Sequence, residues 1–317
     1  MLEQLVSNYP DQVQLIYRHF PLTIHNNAQK AAEAAEIAGA QGEFWLFHDA
    51  LFEDQREWAG LDEATFREFL IDMADDLGLD MARFTADLDA GTYTDYVNLS
   101  FTEAVNLSLP GTPSVIFNGQ LLTGNQVPIQ QYWIWDAYVQ LALLEEHQYD
   151  SPPEMMINPE AAYLARVEME SGETFVIELL PQSAPQTVNS FVFLAQEGWF
   201  DGITFHRVLP GFVAQTGDPS GTGVGGPGYT IPNEIDSSLS HNQPGIVAMA
   251  NSGPDTNGSQ WFITLAPAPH LDGSYTIFGR VLEGMEVIEA ISPRAPDQNP
   301  DLPPGDRIRM ITIEEQE

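Results

Sequence analysis

Within nine residues the chain places a permanent cation, two apolar side chains and a primary amide: Arg207, Phe212, Val213 and Gln215. Arginine stays charged and carries its donors in a rigid fork. Such a group suits electrostatic stabilisation of a polar centre that gains charge as it reacts. Phe212 and Val213 offer dry, apolar contact. In an extended chain alternate residues share a face, so Arg207 and Gln215 stand on one rim. His206 neighbours Arg207 but points to the opposite face, and it is read as structural rather than as a base. A second stretch answers the first about thirty residues on. It is a Gly/Asn/Ser/Pro loop, with Ala250 and Asn251 at its start, that runs into the aromatic strand beginning Gln260-Trp261-Phe262. Taken singly, Arg207 reads as a surface cation, Phe212 and Phe262 as core, and Gln215 as nothing in particular. Only their joint spacing makes a site.

Composition excludes several other chemistries. The 317 residues suffice for two ordinary domains. With 43% hydrophobic and 18% charged residues the chain folds around a core. The formal net charge is -35, and lysine occurs only at Lys30. Residues 1–150 hold 24 acidic and 5 basic side chains and residues 151–317 hold 22 and 6, so both halves share the charge. That balance argues against nucleic acid as a partner, which needs a basic patch, and against an anionic membrane surface. It fits solubility, a salty or extracytoplasmic setting, or attraction of basic clients. With no cysteine, disulfides, thiolate metal sites and thiol redox chemistry are excluded for this sequence. No apolar run reaches the ~18 residues of a membrane span, and residues 1–30 lack a signal-peptide core, so no membrane insertion is expected. The run Gly221 to Gly228 resembles a phosphate loop in composition only. Neither a helix nor Gly-Lys-Ser/Thr follows it, and it is read as a flexible groove wall. No metal and no cofactor are assigned.

The elements around the first stretch are short. Tyr163 to Glu170 and Glu173 to Leu180 read as strands joined by Ser171-Gly172. Pro185 to Glu197 reads as a helix with Pro185 in its first turn and with Val188, Phe191, Leu194 and Ala195 on its apolar face. Strand, loop and turn then alternate to Gly279-Arg280-Val281. Gly284 to Ile291 reads as a second helix, and Arg307 to Ile313 closes with alternation. Many strands and two helices predict a closed antiparallel barrel.

From Ala162 to Ile313, about half the chain, the sequence resembles the cyclophilin family of peptidyl-prolyl cis-trans isomerases. Phe205 to Asp218 and Met249 to Phe262 carry the resemblance. It implies eight strands with a helix over each open end. It also implies catalytic roles for Arg207, Phe212 and Gln215, and a substrate surface of Val213, Ala250, Asn251, Gln260, Phe262, Leu271 and Tyr275, with Asn251 acting through its backbone. The reaction rotates an imide bond over a barrier of ~18–20 kcal/mol and breaks no bond, so it needs no nucleophile, metal or cofactor. His270 and Tyr275 depart from residues common in eukaryotic members, tryptophan and histidine. Both are rim positions, and weak cyclosporin binding is the expected consequence.

The N-terminal half reads differently. Gln12 to Phe20 alternates and predicts a strand ended by Pro21. Residues 26–52, Thr65 to Leu77 with Asp62 as its cap, Asp80 to Asp89, 94–107 and Val127 to Glu146 predict helices. Val115 to Leu122 predicts a hairpin turning at Asn118-Gly119. Tyr17 to Leu22, Gln41 to Trp45 and Gly111-Thr112-Pro113 resemble the thioredoxin-like domain of the disulfide-oxidoreductase family typified by the periplasmic thiol oxidase. The resemblance implies a cis Thr112–Pro113 bond. In that family a first strand and a Cys-x-x-Cys precede the residues that match Met1 onward, so either the true gene start lies upstream, which is the preferred account, or another segment fills the gap.

The expected organisation is therefore multidomain. Residues 1–147 form an incomplete α/β thioredoxin-like domain with a helical insertion, 148–160 a linker containing Ser151-Pro152-Pro153, and 161–317 a cyclophilin-like barrel. The expected function is isomerisation of Xaa-Pro bonds in unfolded or proline-containing clients. The alternative is a chaperone or scaffold that holds such segments without turnover. An extracytoplasmic location follows if the true start lies upstream, a cytoplasmic one if Met1 is the start.

Overall fold

The computed structural model describes residues 2–122, 131–296, 298–299 and 302–316. The chain forms two compact units, Val6–Gln130, and Gln131–Glu317 together with Met1–Leu5. Among the described residues no helix is long and apolar enough to cross a membrane.

The first unit is mainly helical. After α1 (Leu2–Asn8) come α2 (Ala28–Gly39), α3 (Phe44–Glu53), α4 (Gln55–Trp58), α5 (Glu63–Asp76), α6 (Met81–Ala90) and α7 (Thr94–Asn106). The helix expected over 26–52 is broken, because the chain turns at 40–43 and the Glu43 N–H returns to the Ala38 carbonyl at 3.0 Å. Asp62 caps α5 as expected, accepting from the Ala64 and Thr65 N–H groups. The core gathers Ala34, Ile37, Phe47, Phe66, Leu70, Phe84 and Leu88. Strands β1 (Val115–Phe117) and β2 (Gln120–Leu122) pair as a hairpin. Asn118 and Gly119 take left-handed φ values of 46° and 82° in its turn, as a two-residue hairpin demands. Thr112–Pro113 is cis.

One expectation for this unit fails. Residues 12–20 alternate in exposure, with His19 buried and Ile16 64% exposed, but they form no strand. Among the described residues, no backbone group of 14–21 makes a hydrogen bond to another backbone group. Alternation set which side faces the core, and among the described residues no neighbouring strand completes the ladder.

The second unit begins with α8 (Tyr132–Glu145), within the helix expected over 127–146; residues 127–130 lie outside the described residues. Its sheet strands are β3 (Ala162–Met169), β4 (Thr174–Leu179), β5 (Arg207–Leu209), β6 (Val213–Thr216), β7 (Ile246–Met249), β8 (Trp261–Thr264), β9 (Ile277–Glu283) and β10 (Ile308–Gln316). They form one sheet in the order β10-β3-β4-β9-β7-β8-β6-β5, with every pair antiparallel. The helix α9 (Pro185–Gln196) buries Val188, Phe191, Leu194 and Ala195 among Phe200, Trp261 and Phe278. A second helix, α10 (Met285–Glu289), follows β9.

The barrel is not closed, contrary to expectation. β5 has three residues, and its outer edge is taken by Arg294, which exchanges two hydrogen bonds with Val208 at 2.7 and 2.9 Å. Among the described residues, the chain just before β5 and the chain just before β10 meet through an isolated bridge, Thr204 with Arg307, in place of a ladder. The result is a curled eight-strand half-barrel.

Candidate active site

Arg207 and Gln215 do not share one strand. A turn at 210–212 folds the stretch into the β5–β6 hairpin, and the two residues sit directly opposite each other. The same rung continues from Gln215 to Phe262 on β8 and to Ala248 on β7. Paired residues in a ladder project to the same face, so cation, amide and aromatic ring stand in one row. Val213, two residues from Gln215, shares that face.

Alternation splits the apolar residues between the two sides of the sheet. Val208, Ala214, Trp261 and Ile263 belong to the main core inside the curl. Val213, Ala248, Phe262, Leu271 and Ile277 form a separate cluster on the other side, with Phe212, Ala250 and Tyr275 partly buried against it. Leu271 arrives on a short 3-10 helix, Pro269–Leu271. The Phe212 ring stacks on His270 at 5.7 Å, and Tyr275 meets Phe262 edge-on at 5.6 Å.

The polar members are tied together. The Gln215 amide donates to Gln260 Oε1 at 2.9 Å. Gln260 Nε2 in turn donates to the carbonyls of Gly223 and Gly225, both at 3.0 Å. The Ala250 N–H bonds the Gln260 carbonyl, which brings Ala250 and Asn251 alongside. The Asn251 side chain is engaged with the Ser274 carbonyl at 3.1 Å and the Gly253 N–H. The fold thus brings together the ten residues singled out from the sequence.

Three groups that shape the site went without a role in the sequence reading. Asp218 is fully buried. Its carboxylate accepts from Ser220 N–H and Oγ at 2.8 and 2.6 Å, and from the N–H groups of Gly223 and Gly225 at 2.7 and 3.0 Å. The glycine-rich run is therefore wrapped around a buried acidic side chain rather than hanging slack. A Cβ at Gly225 would lie 2.2 Å from Asp218 Oδ1, which explains the residue type there. The available signal was an acid ahead of a Gly/Ser/Thr run, the composition of a loop whose amides converge on an anion. His241 and Asp272 are the other two. His241, buried and stacked on Phe262 at 6.0 Å, meets Asp272 through both its backbone N–H and Nδ1 at 2.8 Å. Bonds from the His241 backbone, Ser240 and the His241 ring hold the Asp272 carboxyl down at about 2. This pair fixes the turn that follows Leu271.

His206 lies on the far side of its strand from the rung, 3% exposed, and neither ring nitrogen has a hydrogen-bond partner among the described residues. Burial lowers its pKa to about 4, against the opposing pull of Asp218. A neutral, buried imidazole at that position is a packing residue.

Comparison with known proteins places both units. Residues 164–315 match the family described as cyclophilin-type peptidyl-prolyl cis-trans isomerase, and residues 1–131 match the thioredoxin family. Peptidyl-prolyl cis-trans isomerase-like 1 of Aspergillus fumigatus is 48% identical over 141 residues, 44% of this chain and 86% of that protein. Peptidyl-prolyl cis-trans isomerase B of Bacillus subtilis is 50% identical over 124 residues, 39% of this chain and 87% of that protein. A Cryptosporidium parvum cyclophilin-type isomerase, crystallised in the presence of the dipeptide Ala-Pro, covers 48% of this chain and 99% of its own at 31% identity, with a TM-score of 0.42.

Proposed function

The chain belongs to the cyclophilin-type peptidyl-prolyl cis-trans isomerase family, its activity is the isomerisation of Xaa-Pro bonds, and we propose that Arg207, Phe212 and Gln215 carry out that reaction. The observation behind this is the single rung Arg207–Gln215–Phe262 beside the Val213/Phe262/Leu271 cluster. An isomerase must favour the twisted imide over both planar forms. In the twist the prolyl nitrogen becomes pyramidal and gains a lone pair. The Arg207 guanidinium, aimed at that nitrogen or at the adjacent carbonyl oxygen, stabilises the twist electrostatically. The apolar cluster receives the proline ring, with Phe212 and Tyr275 at its rim. Gln215 orients the substrate carbonyl, while Ala250, Asn251 and Gln260 line the path of the residues before proline.

The clients are unfolded or proline-containing polypeptides, and the charge of -35 favours basic ones. The location is extracytoplasmic if the true start lies upstream, a reading that the acidic composition favours, and cytoplasmic if Met1 is the start.

The test is cis-trans exchange of a short Xaa-Pro peptide, followed by NMR on the full chain and on Arg207→Ala. Uncatalysed exchange takes tens of seconds or longer. Loss of the guanidinium is expected to slow catalysis by about a hundred- to a thousand-fold, the usual cost of one preorganised donor. Undiminished exchange in Arg207→Ala removes Arg207 from the reacting centre. If neither protein accelerates exchange but peptide resonances shift on binding, the groove grips without turning over.

A further inference from the structure

The glycine-rich wall 221–228 is held from two sides. Asp218 holds it from within. The second hold comes from the last turn of α8 and the chain just after it. Leu144 is buried in the main core, and a Cβ at Gly225 would lie 2.8 Å from its Cδ2. The Gln148 side-chain amide donates to the Gly226 carbonyl at 2.9 Å, and the Tyr149 N–H donates to the Pro227 carbonyl at 2.8 Å. A Cβ at Gly228 would stand 2.5 Å from the Tyr149 carbonyl oxygen, so the two backbones touch. The Tyr149 ring is fixed against Phe193 at 5.0 Å, Trp199 at 6.0 Å and Tyr229 at 6.5 Å.

What this hold controls is the orientation of two amides. The carbonyls of Gly223 and Gly225 both face Gln260 Nε2. Because two acceptors claim its NH₂, Gln260 presents Oε1 to Gln215. One N–H of Gln215 Nε2 is then committed to Gln260, which orients the second N–H of the same amide toward the substrate carbonyl. A shift of the wall would release the first amide and scramble the second. The family match begins at residue 164, so residues 144–149 lie outside the part of the chain that it describes.

We propose that Leu144, Gln148 and Tyr149 are positioning residues of the isomerase groove: they clamp the 221–228 wall and, through Gly223 and Gly225, set the Gln260 and Gln215 amides for the residues that precede proline. The proposal rests on the isomerase reading above and assigns part of its specificity to the segment between α8 and β3. Long substrates feel the clamp, because Gln260 is met only by residues before proline. A bare Xaa-Pro unit does not.

The experiment uses the full chain and two probes, a six-residue peptide with three residues before its proline and a capped Ala-Pro dipeptide. Gln148 is exposed, so Gln148→Leu removes the donor to Gly226 without touching the core. For the longer peptide KM is expected to rise about five-fold, the worth of one net hydrogen bond, with kcat within about two-fold. Exchange of the dipeptide and the melting temperature are expected to stay unchanged. Gln148→Lys, which restores a donor, brings KM back, and Tyr149→Phe, which keeps ring and N–H, behaves as the unaltered chain. Amide hydrogen exchange at Gly223 and Gly225 quickens in Gln148→Leu. An unchanged KM for the longer peptide in Gln148→Leu overturns the proposal. So does an equal loss for both peptides accompanied by a lower melting temperature. If the unaltered chain proves inactive, the isomerase reading fails instead, and the dissociation constant of the longer peptide still reads the clamp by the same comparison.

Discussion

Residues 13–20 and the stretch that leads from His206 through the hairpin β5–β6 both place a histidine beside an arginine, and both bury that histidine. Only the hairpin is embedded in a ladder, with β6 paired on both sides. The two histidines then meet opposite fates. His19, buried in a segment without a strand partner, has Glu36 Oε1 at 2.8 Å from its Nε2. His206, packed under a completed sheet, has no partner on either nitrogen among the described residues and stays neutral. Alternation reports which side of a chain faces the core. It does not report whether the edges are paired or which polar groups find partners.

The sharpest way to break this contrast is proline. Ala214→Pro removes a donor from a central strand and is expected to destabilise the second unit by about 3 kcal/mol or more. Denaturant unfolding followed at the β6–β8 amides measures it. A small effect would mean that the ladder around the site contributes less than its geometry implies.

The next effect is a pH dependence. His206 has a pKa of about 4 in the folded chain against an ordinary 6.5. The unfolded chain therefore takes up this proton first as pH falls, and the folded state loses stability between about 6.5 and 4. Below that window both forms are protonated and the loss levels off. The groups facing the ring act in opposite senses: Asp218 favours the charged form, while Arg294 and Arg207 disfavour it. The full loss amounts to about 3 kcal/mol. His206→Leu is expected to flatten the profile over this window. An unchanged profile would place the acid sensitivity elsewhere.

The smallest effect belongs to the other region. Ile16→Pro falls at an exposed position whose N–H bonds no backbone carbonyl among the described residues. It should change stability by no more than about 0.5 kcal/mol. A larger loss would show that residues 13–20 are paired in solution.

Much of the candidate site was legible because it lies in two linear stretches. Arg207 to Gln215 and Ala250 to Phe262 carry eight of its ten catalytic and substrate-binding residues between them, and Leu271 and Tyr275 follow further along the chain. The apolar face of α9 was legible for the same reason, since Val188, Phe191, Leu194 and Ala195 follow helical spacing within one element. Asp218 was in plain view but uninterpretable, because its role exists only once residues 220–225 curl back over it. The clamp by Gln148 and Tyr149 joins residues nearly eighty positions apart and leaves no local pattern. The open barrel turns on Arg294 occupying the outer edge of β5, a contact between residues 86 positions apart.

Local residue pattern was enough to set the faces of the strands and helices and the apolar and cationic make-up of the groove, because periodicity and side-chain type are properties of each segment alone. Tertiary structure alone decided which strand edges are paired, which buried polar groups are satisfied, and what holds the groove wall in place. Hydrogen bonding and burial depend on whatever lies alongside, and that is settled only when the chain has closed on itself.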